Sequence, residues 1–253
     1  MPKNFANGVL GHGKLVDVLV VLFLIIIIIA AIWYFRSSSS KTISHFQDPT
    51  IIKHKHGEYE ILEIKNLLTH DQCDEIINHS IAAGMHESDV LSYGSSTGTE
   101  VNDTYRTSKT AWVQDREHPV AAFLAQYSAQ ISNLPIENQE MLQVAHYEPN
   151  GKFNEHFDAC VYDDKEFCDK MNNYSGQRRC TLLVYLNDDF EGGETEFMNI
   201  GLKVKPEKGK AILFWNTDEN EKIIEKSKHS ANPVRNGHKW ICTKWSHVKQ
   251  YGG

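Results

Sequence analysis

From residue 141 onward the chain breaks into short β-prone runs divided by turn signals, and this rhythm limits the fold more than any other feature. The runs cover 141–147, 156–160, 181–187, 194–197, 210–214, 227–234 and 238–248, and Asn150-Gly151, Gly192-Gly193 and Asn236-Gly237 stand among the breaks. Many short strands at this spacing close into a sandwich or barrel, the jelly roll included. Upstream, 59–64 reads as a strand. Residues 71–83 place apolar side chains at helical spacing, with Thr69 as cap and Gly84 as stop. A long mobile loop rich in Gly, Ser, Thr, Asn and Asp is expected over 93–105, a second helix over 120–131 and a turn over 134–137. The expected fold is therefore mainly β with flanking α, without internal repeats.

Within that frame stand His156-Phe157-Asp158, then His229, then Lys239 ten residues further on. Two imidazoles and one carboxylate can hold three adjacent positions of an octahedral metal and leave three open, the facial triad of non-haem Fe(II) oxygenases. In a strand, residues i and i+2 face the same side, so His156 and Asp158 can both aim inward. A bare HxD arises often by chance; the later histidine and the lysine make it specific. Asn-Gly is a favoured hairpin turn, so the strands bearing His229 and Lys239 are expected to pair across Asn236-Gly237. Lys239, Ile241, Thr243, Trp245 and His247 then share one face of the last strand. An interior lysine is costly without a partner. The distal carboxylate of a bidentate dianion such as 2-oxoglutarate would supply one. Tyr147 can donate a hydroxyl nearby, although alone it reads as a core tyrosine. A zinc hydrolase could use the same ligands but would not need Lys239.

The net charge of −7 over 253 residues, with no long basic run, argues against nucleic acid as a partner. The N-terminus differs from the rest. Residues 18–35 form an uncharged apolar run of 18 residues ending in Trp33, Tyr34 and Phe35. That length just spans a bilayer core, and the aromatic end suits a membrane interface better than a signal-peptide cleavage site. The expected organisation is a tail over 1–17, a transmembrane anchor over 18–35, a linker over 36–55 and a catalytic domain over 56–253. Lys3 and Lys14 precede the span and Arg36, Lys41, Lys53 and Lys55 follow it, so charge does not favour a lumenal C-terminus. His54 and His56 read as solvated. No CxxC pair occurs among the five cysteines, so a zinc ribbon is excluded; Cys160 and Cys168 either pair or remain free thiols. The tripeptides starting at Asn78, Asn102 and Asn173 match the glycosylation pattern but arise easily by chance.

The stretches LQVAHYEPNGKFNEHFD, RRCTLLVYLNDDFEGGETEF, VKPEKGKAILFW and HSANPVRNGHKWICTKWSH resemble the catalytic domain of collagen-type prolyl 4-hydroxylases, with plant, algal and viral members. Weaker similarity extends through NLLTHDQCDEII and YRTSKTAWV. The resemblance implies a double-stranded β-helix (jelly roll) and hydroxylation of peptidyl proline at C4. It implies Fe(II), 2-oxoglutarate, O2 and L-ascorbate as cofactors or co-substrates, and a proline-rich or collagen-like polypeptide as substrate. Carried over residue by residue, it implies His156, Asp158 and His229 as iron ligands. Lys239 would partner the distal carboxylate, with Tyr147 and Thr195 donating hydroxyls. Glu140, Arg178, Trp245, His247 and Arg106 would line the peptide groove. Anchored relatives imply an endoplasmic reticulum or Golgi location with a lumenal catalytic domain; the oligomeric state is open. Two departures stand out. Phe153 replaces a more usual tyrosine, and 163–175 matches no family motif. The alternatives are an oxygenase acting on another residue or a small molecule, and a non-catalytic, membrane-tethered peptide-binding module.

Overall fold

The computed structural model describes residues 49–92, 98–102 and 104–252. In chain order the elements are β1 (Thr50–His56), β2 (Tyr59–Lys65), α1 (His70–Ala83), β3 (His86–Glu87), β4 (Asp89–Leu91), β5 (Thr99–Val101), β6 (Lys109–Val113) and α2 (Pro119–Ser132). They continue as β7 (Leu142–Tyr147), β8 (Phe153–His156), α3 (Lys165–Met171), β9 (Arg178–Tyr185), β10 (Glu191–Gly192), β11 (Thr195–Phe197), β12 (Leu202–Val204) and β13 (Ala211–Trp215). The last are β14 (His229–Ala231), β15 (Val234–Asn236) and β16 (Lys239–His247).

These strands form an eight-stranded major sheet in the order β1-β2-β13-β9-β16-β7-β6-β3 and a four-stranded minor sheet in the order β12-β11-β14-β8. Two ribbons, β10–β15 and β4–β5, complete the β structure. The result is mainly β with a few helices and matches a double-stranded β-helix. Period-two alternation divides the core. On β9, Leu182 and Val184 join β16 Cys242 and the helical residues Ile76 and Leu124 in one cluster. Leu183 and Tyr185 turn the other way, joining Ile241, Phe214 and the minor-sheet residues Phe197 and Val204. Helices α1 and α2 thus cover one face of the major sheet, and the minor sheet covers the other.

Local chemistry explains the helix boundaries. The Thr69 hydroxyl accepts from the Gln72 N–H (3.2 Å) while the Gln72 side chain accepts from the Thr69 N–H (2.9 Å), a reciprocal capping box. Gly84, at φ 90°, closes α1. Pro119 occupies the first turn of α2, where its missing N–H costs nothing.

Four expectations change. The His229 and Lys239 strands do not pair. β14 lies between β11 and β8 in the minor sheet, whereas β16 lies between β9 and β7 in the major sheet. Gly237 takes φ 79° but Asn236 is not among the positive-φ residues, so the two-residue turn that would close a hairpin is not formed. Asn236-Gly237 instead carries the chain from the β10–β15 ribbon into the major sheet. Second, β8 ends at His156, so Asp158 lies just beyond the strand rather than within it. Third, β1 begins at Thr50, inside the segment read as linker, because it pairs along its whole length with β2. His54 there bonds Glu63 (2.9 Å) and is half-buried rather than solvated. Fourth, part of the expected loop is a ribbon, since Asp89–Leu91 pairs with Thr99–Val101; residues 93–97 and 103 lie outside the described residues. The unmatched segment 163–175 contains α3, capped by Asp164, whose carboxylate accepts from the Phe167 N–H (3.0 Å). The expected span over 18–35 also lies outside the described residues. Among those described, no helix is long and apolar enough to cross a membrane.

Candidate active site

His156 and His229 are direct cross-strand partners on β8 and β14. Asp158, just past β8, brings its Oδ1 to 3.7 Å from His156 Nε2 and 4.0 Å from His229 Nε2. The three ligand atoms all lie within 4.8 Å of one another. Each imidazole is oriented through its other nitrogen. His156 Nδ1 lies 2.8 Å from the Asn154 carbonyl and His229 Nδ1 lies 2.9 Å from that of Ser227. A carbonyl can only accept, so each Nδ1 carries the proton and each Nε2 presents its lone pair to the shared centre. Burial, then His229, pushes the His156 imidazolium down to about 3. Burial alone would raise the Asp158 carboxyl. His229, His156, Arg178 and the Thr181 hydroxyl outweigh it and hold the group below its ordinary value. Two imidazoles turned with Nε2 toward one point and a carboxylate form a donor set that fits a divalent iron.

Lys239 enters from the opposite sheet. It is 1% exposed, and its Nζ donates to the Gly193 carbonyl at 2.6 Å. It forms no salt bridge among the described residues. Burial pushes the Lys239 ammonium down to about 7, with Glu194 opposing. An ammonium kept in the interior with no carboxylate partner among the described residues is a receptor for an anion. Tyr147 is its cross-strand partner, and the ring centroid lies 5.4 Å from Nζ. Thr195 is buried and accepts from the Tyr185 hydroxyl at 2.7 Å. Tyr147, Thr195 and Lys239 line one inner cavity together with His156, Asp158 and His229. One small dianion can therefore touch the metal ligands' open side and the lysine at once.

A second cleft of about 390 Å³ opens above the triad, with walls formed by Trp112, Trp245, Tyr105, Tyr162, Arg106 and Arg178. Arg178 lies over the Trp245 ring, 3.9 Å from its centroid. Arg106 donates to Ser108 (2.9 Å) and Gln143 (3.0 Å) and sits over Phe153. Phe153 in turn stacks on His156 at 3.6 Å between centroids, so the ring that replaces the usual tyrosine packs against one of the triad imidazoles. Glu140 and His247 do not line this cleft. Glu140 is buried beneath it, where its carboxylate takes two bonds from Arg178 and one from His247 Nε2 (2.9 Å). Burial would raise the Glu140 carboxyl, but Arg178 and His247 hold it down to about 2. These two residues fix the pose of Arg178 from behind. A disulfide joins Cys160 to Cys168 just after Asp158, behind the wall residues Ala159, Val161 and Tyr162.

A profile described as the 2OG-Fe(II) oxygenase superfamily matches residues 142–247. A putative prolyl 4-hydroxylase of Acanthamoeba polyphaga mimivirus is 33% identical over 189 residues, covering 74% of each chain. Probable prolyl 4-hydroxylase 6 of Arabidopsis thaliana is 31% identical over 233 residues, covering 85% of this chain and 78% of that one. The chain belongs to the prolyl 4-hydroxylase family. Its activity is that of a 2-oxoglutarate- and Fe(II)-dependent prolyl 4-hydroxylase. Among solved structures, the viral collagen prolyl hydroxylase of Paramecium Bursaria Chlorella virus-1 in complex with 2OG superposes with a TM-score of 0.60 at 30% identity. The match covers 75% of this chain and 96% of that one.

In this prolyl 4-hydroxylase several site residues carry no conspicuous sequence motif. Thr181 donates to Asp158 Oδ2, Asn216 donates to Thr181, and Gln143 accepts from Arg106. Thr181 could have been found by alternation, since it shares the inner face of β9 with Leu183 and Tyr185 and is polar where they are apolar. Asn216 leaves no comparable trace.

Proposed function

We propose that the substrate proline is presented in an extended, proline-rich or collagen-like polypeptide laid along the aromatic cleft above the triad. The observation that carries this reading is the wall of Trp112, Trp245, Tyr105 and Tyr162, with the Arg178 guanidinium stacked on Trp245. Polyproline II segments dock in aromatic-lined grooves because they are already ordered and bury flat rings against flat rings. In this reading His156, Asp158 and His229 hold the iron, Lys239 binds the distal carboxylate of 2-oxoglutarate, and Tyr147 and Thr195 supply nearby hydroxyls. Arg178, Trp245 and Arg106 contact the peptide, whereas Glu140 and His247 act through Arg178. When bound, the iron and 2-oxoglutarate supply the oxidative chemistry, releasing succinate and CO2 as oxygen is delivered to proline C4. The protein's own contribution is to fix both substrates in one geometry and to exclude bulk water. Ascorbate would return the iron to its ferrous state after uncoupled turnover.

Mass spectrometry of poly-proline, Pro-rich and collagen-like peptides incubated with the full-length enzyme, iron, ascorbate and 2-oxoglutarate tests this. A mass gain of one oxygen on proline, with matching succinate, is expected. Succinate release that no proline peptide stimulates would overturn it. The apolar run over 18–35 supports a single-pass anchor; the placement of the catalytic domain in the endoplasmic reticulum or Golgi lumen rests on resemblance to anchored family members. Protease protection in intact microsomes is the expected result; digestion without detergent would place the domain on the other side.

A further inference from the structure

Asp158 has two oxygens, and they are not equivalent. Oδ1 faces both histidine Nε2 atoms. Oδ2 accepts from the Thr181 hydroxyl at 2.6 Å. That hydroxyl accepts from the side-chain amide of Asn216 at 2.8 Å. Thr181 is 1% exposed and Asn216 is fully buried, so water does not compete for either bond. The direction of the chain is fixed by chemistry. An amide NH2 can only donate, so the threonine's single proton must go to Asp158. Asn216 is itself immobilised through its backbone. Its N–H donates to the Arg179 carbonyl (3.0 Å), and its carbonyl accepts from the Ile224 N–H (2.9 Å). Among the described residues its side-chain oxygen is buried without a partner.

We infer that Asn216 and Thr181 form a positioning relay that holds Asp158 as a one-oxygen metal ligand. This rests on the reading of His156, Asp158 and His229 as the metal site. A carboxylate free to rotate can close on a metal with both oxygens and so take a fourth position. With Oδ2 tied to Thr181, only Oδ1 remains for the metal. A metal held by one atom each from His156, Asp158 and His229 would keep room beside it for 2-oxoglutarate and O2. Partners that orient metal ligands in this way typically change metal affinity by ~10–100-fold when removed.

The test is a Co(II) titration of the full-length protein, followed by visible absorption and by competition with a chelating dye. Wild type, Thr181→Val, Thr181→Ser, Asn216→Asp and His229→Ala are compared. Thr181→Val keeps the shape and removes the donor; about tenfold to hundredfold weaker Co(II) binding and an altered visible spectrum are expected. Thr181→Ser restores the hydroxyl and should return both to near wild type. Asn216→Asp is nearly isosteric, but a carboxylate there accepts the threonine's proton and draws it away from Asp158, so it should reproduce the valine variant. His229→Ala separates the two levels of the argument. If it binds Co(II) like wild type, the triad reading fails. If it loses Co(II) while Thr181→Val and Asn216→Asp bind within twofold of wild type with unchanged spectra, the relay alone is overturned. Should the valine variant not fold, Asn216→Asp decides the matter in the same way.

Discussion

Replacing Lys239 by methionine should make the metal-free protein more stable while weakening its hold on 2-oxoglutarate. Burial brings the Lys239 ammonium from 10.5 down to about 7. At 1.36 kcal/mol per unit, keeping it charged below pH 7 costs the folded state roughly 4–5 kcal/mol. Methionine removes that cost and fills much the same space. It also strips the Gly193 carbonyl of its donor, which costs about 1–3 kcal/mol. The balance favours the variant by roughly 2 kcal/mol, or several degrees in Tm for a domain of this size. The pH dependence has a definite sign. Between pH 7 and 10.5 the unfolded chain holds a proton on this lysine that the folded chain does not, so wild-type stability rises with pH. The advantage of Lys239→Met should therefore be greatest at or below pH 7 and shrink above it. Binding goes the other way. A charge-assisted bond to a buried carboxylate contributes about 1.5–3 kcal/mol, or tenfold to more than a hundredfold in Kd. Denaturant titrations of the metal-free proteins from pH 6 to 10 measure the first effect. Calorimetry of 2-oxoglutarate with the Co(II)-loaded proteins measures the second. A variant that is less stable than wild type at pH 6 and binds 2-oxoglutarate equally well would refute the reasoning.

Alanine at His156, Asp158 or His229 should abolish turnover and Co(II) binding while far-UV circular dichroism stays native; substantial residual turnover would count against the triad. Glu140→Gln should raise the peptide KM more than that for 2-oxoglutarate, because Arg178 loses its buried counter-charge; equal effects on both would separate Glu140 from the cleft. The same carboxyl, held down to about 2, contributes stability above its unfolded value of 4.5 that disappears as pH falls through 2, so acid titration of wild type and Glu140→Gln should converge at low pH. Cys160→Ser/Cys168→Ser should loosen the wall carrying Val161 and Tyr162 and raise the peptide KM without changing the 2-oxoglutarate KM; unchanged peptide kinetics would leave the disulfide a purely local tie.

The sequence carried the chemistry better than the connectivity. His156, Asp158 and His229 could be paired on residue type and spacing because a facial triad tolerates few alternatives. Lys239 stood out because a cation on an otherwise inward face demands a partner. The hairpin inference failed because an Asn-Gly step reports a local turn preference, whereas the destination of the next strand is decided by tertiary packing. Here Gly237 packs against Asp189 and Phe190, and the chain crosses between sheets. Strand β1 was missed because Thr50–His56 is a largely exposed, polar-rich edge, and its pairing with β2 leaves no apolar alternation to read. The positions of Glu140 and His247 were similarly hidden. Both are polar residues of the kind that line grooves, and only the structure reveals that they are spent on each other and on Arg178.

The separation of His229 and Lys239 onto different sheets turns the site into a caliper. One jaw is the minor sheet, carrying the imidazoles; the other is the major sheet, carrying the ammonium. Their gap is set by the core that props the sheets apart, where Phe197 of one meets Phe214 of the other edge-on at 5.0 Å between centroids. On the proposed roles of the triad and Lys239, a diacid gripped at both ends would be measured by length. A shorter keto-diacid can seat its keto-acid end and still fall one bond short of the ammonium. The tolerance of the measurement lies in side chains that never touch the ligand: thinning the Phe197–Phe214 spacer would reset the gap and, with it, which chain length fits.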